Sequence, residues 1–178
     1  MWGAAGGLGS LTVKLAVAQG ISVVALDQAE GLRAYATASL GAQHYVATQG
    51  KSSAALAAEV ARACGGGGSA CAIVLAPAAG AYAGALAALR AGGVAVAVGL
   101  PPAGMPLDVA ALVLSGKTLR GSLVGTRLDM QECLAFCAER GISVAAAEVP
   151  LAEAGAAMAA LSAGKVQGRI VLRIAPDA

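Results

Sequence analysis

Residues 3–10 read Gly-Ala-Ala-Gly-Gly-Leu-Gly-Ser, and a helical pattern begins directly after them. The spacing matches a variant of the dinucleotide-binding fingerprint, with Ala4, Gly6 and Gly9 at the three aligned positions. Without a Cβ, Gly6 lets a pyrophosphate approach the backbone, and Gly9 lets the helix pack closely on a sheet. The free N–H groups of the first helical turn then face the anion, with the helix dipole behind them. The stretch therefore predicts a phosphate-binding turn.

A carboxylate downstream strengthens this interpretation. Asp27 stands twenty-one residues beyond Gly6, at the end of the apolar run ISVVALD. A carboxylate at this place accepts hydrogen bonds from the hydroxyls of an adenosine ribose and repels a 2′-phosphate, which favours NAD over NADP. The competing interpretation is a turn acid and an ordinary loop, because 25 glycines are present in the chain. Motif, spacing and the pattern of the remaining sequence together favour the coenzyme site.

Short apolar runs alternate with longer helical patterns along the whole chain. Continuous apolar strands separated by helices indicate a parallel sheet covered on both faces, the doubly wound α/β (Rossmann) class. Strands are predicted over 21–26, 70–76, 94–98, 119–124 and 170–174, with a weaker one over 44–47. Helices are predicted over 8–19, 31–40, 53–63, 79–91, 109–114, 129–139 and 152–163.

Composition excludes several classes of function. The net charge is only +2 and no basic stripe is present, which argues against a nucleic-acid partner. Residues 70–89 carry no charged or strongly polar side chain, but Pro77 and Gly80 interrupt them. A strand, a turn and a helix explain the positions of this proline and this glycine better than a membrane span does. No secretion signal is recognisable, and the four cysteines form no CxxC pair, so a cytoplasmic location is expected.

Metal ligands are not expected in this sequence. His44 is the only histidine, and Cys133 and Cys137, four residues apart, have no further ligand close by in sequence. A lone histidine and two such thiols are more typical of structural positions than of a metal site. No residue is a convincing catalytic group either.

Five segments, in their order, resemble the coenzyme-binding region of the zinc-dependent, medium-chain alcohol dehydrogenases. They are GAAGGLGSLTVKLA (3–16), VALD (24–27), AVGLPPAG (97–104), GSLVGTRLDMQECLAF (121–136) and GKVQGRIVLRI (164–174). The resemblance covers essentially the whole chain, and the last two segments are more specific than the glycine turn. It implies an NAD-binding domain whose complete enzyme transfers hydride between an alcohol or aldehyde and the coenzyme.

The resemblance also implies roles for individual residues. It places Gly6, Gly7 and Leu8 at the pyrophosphate and Asp27 at the adenosine ribose. A lysine of the family that also touches this ribose has no counterpart here, and Arg33 is its possible substitute. The remaining coenzyme contacts that it implies are Val98 and Leu100 on the nicotinamide side, Ser122 and Val124 nearby, and Arg169 at the pyrophosphate. It further implies a homo-oligomer in which the strand near Leu119–Val124 pairs with its twin.

Two departures from the family set further expectations. Nothing in the chain corresponds to the family's catalytic domain or to its zinc ligands, so zinc is expected only in that absent domain, and residues 1–178 alone are expected to be inactive. Only Met1 and Trp2 precede the turn, so the first, central strand of the sheet is apparently missing, as in an N-terminally truncated domain. A non-catalytic nucleotide-binding module and a quinone-reductase-like relative remain alternatives. The absent domain is expected to shape most of the substrate pocket.

Overall fold

The computed structural model describes residues 1–174, in which helices and parallel strands alternate. The helices are α1 (Gly7–Ala18), α2 (Ser53–Ala63), α3 (Ala79–Ala88), α4 (Val109–Ser115), α5 (Arg127–Arg140) and α6 (Ala154–Ser162). The strands are β1 (Val24–Asp27), β2 (His44–Ala47), β3 (Ser69–Val74), β4 (Leu89–Ala97), β5 (Thr118–Gly121), β6 (Ala146–Pro150) and β7 (Arg169–Arg173). Within the described residues no helix is long and apolar enough to cross a bilayer, and residues 70–89 divide between β3, a loop over 75–78, α3 and the start of β4.

The strands pair in parallel around a single residue near the start of the chain. β1 pairs with β2, and β3 pairs with β4, which pairs with β5. Trp2 makes parallel bridges to Leu26 of β1 and to Val74 of β3. The resulting order is β2-β1-Trp2-β3-β4-β5, while β6 and β7 form a separate parallel pair. The predicted parallel, doubly wound α/β class is confirmed.

Residues 1–3 hold the central position of the sheet. Trp2 N–H donates to the carbonyl of Ile73 at 2.9 Å, and its carbonyl accepts from Leu75 N–H at 2.9 Å. On the other side, Leu26 N–H donates to the carbonyl of Met1 at 2.8 Å. Below Trp2, between the opening residues of β1 and β3, lies a mostly apolar cavity of about 540 Å³. The central position is thus filled at the carboxyl edge of the sheet and open at the opposite edge.

The core lies in the first half of the chain. One buried cluster packs α2 and α3 on the sheet, and it contains Trp2, Leu26, Val46, Leu56, Val60, Ala72, Val74, Tyr82, Ala85, Ala88, Leu89 and Ala95. A second cluster, beside α1, contains Ala4, Val13, Val23, Ala25, Ala36, Leu40, Ala42 and Tyr45. Large apolar side chains beyond the core are exposed instead, among them Leu114 at 88%, Leu123 at 87% and Val124 at 90%.

Several element boundaries differ from the sequence-based expectation. Residues 31–40 form a 3₁₀ turn (Glu30–Leu32) and a π-helical turn (Tyr35–Ser39) in place of one regular helix. β4 starts at Leu89, five residues earlier than predicted, because the chain becomes extended directly after α3 and pairs with Ser69. The predicted strand over 119–124 ends at Gly121, and Val124 has a φ of 39°.

One strand was not predicted at all. β6 has the sequence AAEVP and pairs along its full length with β7. Alanine and glutamate are poor strand formers, so nothing local in this segment indicates a strand. Its partner β7, which is rich in branched apolar residues, supplies the pairing that makes it one.

Candidate coenzyme site

The glycine-rich turn leads directly from the centre of the sheet into α1. Gly3 N–H and Ala4 N–H both donate to the carbonyl of Leu26, at 2.9 and 3.1 Å. Gly6 is the N-cap residue of α1, and no side chain caps the helix there. Ser10 N–H donates to the carbonyl of Gly6 at 2.8 Å. The N–H groups that precede it in the first turn have no acceptor inside the helix, so they can bind an anion.

The surroundings of Gly6 and Gly9 fit the two roles predicted for them. A Cβ at Gly6 would lie 3.7 Å from the carbonyl oxygen of Gly3, its nearest neighbour, so the space beside Gly6 is open. A Cβ at Gly9 would lie 2.0 Å from that same oxygen and 2.8 Å from the backbone of Ala4. Gly9 thus permits the close packing of α1, whereas Gly6 leaves room for a ligand.

Asp27 ties the end of β1 to the glycine-rich turn. Its Oδ2 accepts from Ala5 N–H at 2.8 Å, and its Oδ1 accepts from Gln28 N–H at 2.8 Å. Each carboxylate oxygen can accept a further hydrogen bond, so both remain able to bind ribose hydroxyls. Asp27 also lines a cavity of about 280 Å³ beside the turn. The other residues lining this adenosine-side cavity are Trp2, Gly3, Leu26, Gln28, Thr48, Lys51, Ser53, Leu56, Ala76, Ala78, Gly80 and Ala81.

Arg169 reaches the same turn from the other end of the chain. Gly168 N–H donates to the carbonyl of Ala5 at 2.9 Å, which fixes the start of β7 beside the turn. A Cβ at Gly7 would lie 3.1 Å from Nη2 of Arg169, so the guanidinium packs against the backbone of Gly7. Arg169, Gly7 and Leu8 line a second cavity of about 490 Å³, together with Gly3, Gly6, Gly9, Leu75, Ala154, Ala157, Met158, Leu161, Val166, Gly168, Ile170 and Leu172.

The four other sequence-predicted contacts lie after the next two strands. Val98 follows β4, and its N–H donates to the carbonyl of Val74 at 3.1 Å. Ser122 follows β5, and its N–H donates to the carbonyl of Ala97 at 2.9 Å. Leu100 and Val124 are 83% and 90% exposed. These residues follow the carboxyl ends of β4 and β5, and they are not among the residues that line the two cavities.

Arg33 is held away from the adenosine-side cavity. Its Nη1 donates to the carbonyl of Tyr45 at 3.0 Å, and its Nη2 donates to Glu30 at 3.0 Å. Its guanidinium also lies 5.2 Å from the centre of the Tyr45 ring. The hydrogen bond from Arg33 lowers the pKa of Glu30, and burial raises the pKa of Tyr45 to about 12. Arg33 lines a separate surface groove with His44 and Arg62.

Sequence reasoning missed Thr48 and Lys51, which line the adenosine-side cavity from the loop between β2 and α2. They lie beside Asp27 because this loop stands at the carboxyl edge of the sheet. No local sequence motif predicts that position. Within residues 1–174 no group of three or more His, Cys, Asp or Glu side chains is placed to hold a metal ion. The described residues therefore do not fit a zinc site.

Comparison with known proteins supports a family assignment. Residues 7–139 match the family model described as zinc-binding dehydrogenase. The chain is 38% identical over 168 residues to an alcohol dehydrogenase of Moraxella sp. (strain TAE123), and 34% identical over 169 residues to one of Geobacillus stearothermophilus. These alignments cover 94% and 95% of the chain but 48% of each relative, so the chain spans about half their length. A cinnamyl alcohol dehydrogenase structure from Sorghum bicolor superimposes with a TM-score of 0.81, at 28% identity, over 94% of this chain and 45% of that one.

Proposed function

Because the chain belongs to the zinc-binding dehydrogenase family, we propose that residues 1–178 form one NAD-binding domain whose task is to bind and orient the coenzyme. The observation that carries the proposal is that two predicted residues, Asp27 and Arg169, converge on the glycine-rich turn. Asp27 accepts from Ala5 N–H at one side, and Arg169 packs on Gly7 at the other. A carboxylate for ribose hydroxyls and a guanidinium for phosphate oxygens thus flank the free N–H groups of α1.

Each of these groups has a distinct part in holding the coenzyme. Gly6, Gly7 and Leu8 present backbone donors to the pyrophosphate, and Arg169 adds a fixed fork of donors to it. Asp27 accepts from the adenosine ribose and disfavours a 2′-phosphate, so NAD is the preferred coenzyme. Val98, Leu100, Ser122 and Val124, at the carboxyl edge of the sheet, are proposed to border the nicotinamide half. When bound, NAD supplies the ring that takes up or donates a hydride.

The complete reaction is proposed for a longer protein than the described residues. We propose oxidation of an alcohol to an aldehyde, or its reverse, as the activity to which this domain contributes coenzyme binding. A zinc ion that polarises the alcohol oxygen would have to be held by residues outside 1–174, since the described residues do not fit one. The four cysteines are free thiols, which supports the proposed cytoplasmic location.

Self-association is a further part of the proposal. β5 stands at the edge of the sheet, and Leu123, two residues after its end, is 87% exposed. Pairing of this edge with its twin would satisfy open backbone groups and cover apolar surface. We therefore propose a homo-oligomer formed through residues 119–124.

Titration calorimetry of the 178-residue chain tests the coenzyme proposal. We expect saturable binding of NAD, weaker binding of NADP, and at least about tenfold weaker binding of NAD to Asp27→Ala, which corresponds to about 1.4 kcal/mol. Circular dichroism of wild type and variant separates a lost contact from a lost fold. A folded wild-type chain that binds neither coenzyme would contradict the proposal.

A further inference from the structure

The adenosine-side cavity contains one cationic side chain among its lining residues, and it is Lys51. Lys51 N–H donates to the carbonyl of Thr48 at 3.1 Å, and this turn places Lys51 directly before the N-cap of α2. Asp27 lines the same cavity from the end of β1. The lining of the cavity combines apolar residues, among them Leu26 and Leu56, with polar ones such as Gln28 and Thr48. This combination is typical of small-molecule sites.

Arg33, the cation that the sequence resemblance suggested for the adenosine ribose, is already engaged. Arg33 donates to Glu30 and to the carbonyl of Tyr45, and its guanidinium lies over the Tyr45 ring. To reach the adenosine-side cavity it would have to give up these interactions together. Lys51 already lines the cavity, so only its ion pair with Glu59 would have to open.

Lys51 is itself held by one carboxylate. Its Nζ lies 2.7 Å from Oε1 and 2.9 Å from Oε2 of Glu59, and the two side chains are 33% and 29% exposed. A partly exposed pair of this kind is weak enough to open for a ligand. Asp27 is the one carboxylate and Lys51 the one cation among the residues that line the adenosine-side cavity. The carboxylate opposes a phosphate on the ribose, and Lys51 is the cation placed to offset it.

We propose that Lys51 is a specificity-determining residue, which donates to the adenosine ribose of the coenzyme and sets how strongly the site rejects a phosphate on that ribose. The inference rests on the proposed function of the domain as a coenzyme-binding unit. It assigns to Lys51 the adenosine-side cation that the sequence resemblance placed at Arg33. It also gives Glu59 a role, because the ion pair with Glu59 competes with the coenzyme for the Lys51 ammonium group.

The test compares the ratio of the NADP and NAD dissociation constants among variants of the 178-residue chain, measured by titration calorimetry. Lys51→Met removes the only cation lining the cavity, so we expect this ratio to rise about fivefold. Glu59→Gln releases Lys51, so we expect the ratio to fall. Lys117→Met is the matched control, because Lys117 lies at the opposite end of the parallel strands, just before β5; its ratio should stay as in wild type.

The competing assignment is tested by Arg33→Met in the same series. The Lys51 assignment would be overturned if the ratio of the NADP and NAD dissociation constants rose in Arg33→Met but stayed within twofold of wild type in Lys51→Met. NAD binding itself would remain in that case. A ratio that falls in Lys51→Met would overturn the assignment as well. If the folded wild-type chain binds neither NAD nor NADP, the proposed function fails, and the role of Lys51 fails with it. Circular dichroism confirms that each variant is folded before its ratio is compared.

Discussion

Gly6 and Gly9 lie three residues apart in one turn, yet a methyl group at each position would meet different surroundings. At Gly9 it would overlap the carbonyl of Gly3, whereas at Gly6 it would meet nothing closer than 3.7 Å. We therefore expect Gly9→Ala to lower the free energy of unfolding by about 3 kcal/mol or more, because backbone must move. Gly6→Ala should leave that free energy nearly unchanged and weaken NAD binding, because its methyl group occupies the space left for the pyrophosphate. Urea unfolding and calorimetry measure the two quantities.

Each glycine variant serves as the control for the other. The interpretation of the turn would be contradicted if Gly6→Ala bound NAD as tightly as wild type. It would be contradicted equally if Gly9→Ala were as stable as wild type.

The sequence predicted the residues of this site that depend on local spacing. Asp27 was found because it ends an apolar run of strand length, twenty-one residues beyond Gly6. Arg169 could be suggested only by resemblance, since 162 residues separate it from Gly7 and only the pairing of β6 with β7 and the bond from Gly168 to Ala5 bring it close. Lys51 escaped prediction because its position depends on how the loop before α2 packs.

Among the elements, residues 1–3, which hold the central position of the sheet, depend on close packing between Trp2 and α3. Trp2 is 3% exposed, and a Cβ at Gly84 would lie 2.4 Å from Cη2 of its indole. Gly84→Ala should therefore destabilise the wild-type chain by about 1–3 kcal/mol through overpacking. Trp2→Phe removes the atoms that clash, so the same Gly84→Ala change should cost less in that background.

A double-mutant cycle measures this interaction through urea unfolding of the four proteins. We expect a coupling free energy of about 1 kcal/mol or more, with the double variant more stable than the two separate changes would give. Additive effects would show that Trp2 does not pack on Gly84 in solution.

α5 begins with a capping box that makes its stability depend on pH. Asp129 accepts from the hydroxyl and the backbone N–H of Thr126, at 2.7 and 2.6 Å, and these bonds lower the pKa of Asp129. A carboxyl whose pKa is lowered on folding stabilises above its ordinary pKa, near 4, and loses this contribution as the pH falls through the lowered value. Asp129→Asn should therefore flatten the loss of thermal stability between about pH 5 and pH 2.

The control for this prediction is Glu132→Gln, which removes a carboxylate from the same helix and keeps the capping residues. Thermal unfolding followed by circular dichroism across that pH range compares the two variants with wild type. Equal flattening in both would mean that overall charge, and not the cap, causes the pH dependence.

Helix and strand prediction succeeded where apolar runs were long. It failed where contacts with residues distant in sequence determine the local structure. The pattern over 31–40 has helical periodicity, but the structure forms a 3₁₀ turn and a π-helical turn there, and Ala36 and Leu40 pack into the cluster beside α1. β6 was missed because its alanines have no strand preference. Such outcomes follow from tertiary contacts, which residue spacing alone does not encode.

At the scale of the whole molecule, apolar surface is distributed unevenly. The buried hydrophobic residues run from Trp2 to Ala95, whereas Leu114, Leu123 and Val124 in the second half are almost fully exposed. A strand edge beside such surface favours association between copies. We expect sedimentation velocity to show a concentration-dependent oligomer, and Leu123→Lys to weaken its association constant about tenfold or more.

Leu161→Lys is the matched control, because Leu161 is 59% exposed on α6, away from β5. It should leave association as in wild type. A monomer at all concentrations, or equal effects of the two substitutions, would contradict a contact through residues 119–124.

Binding of NADH followed by the fluorescence of Trp2 tests the central claim most directly. Trp2 is the only tryptophan of the chain and lines the adenosine-side cavity with Asp27. If the turn binds the coenzyme, NADH should quench Trp2 emission saturably by energy transfer, and ADP-ribose should reverse the quenching. Asp27→Ala should shift the midpoint at least about tenfold. Quenching that never saturates, or that is identical in Asp27→Ala while both proteins are folded, would contradict a coenzyme site at this turn.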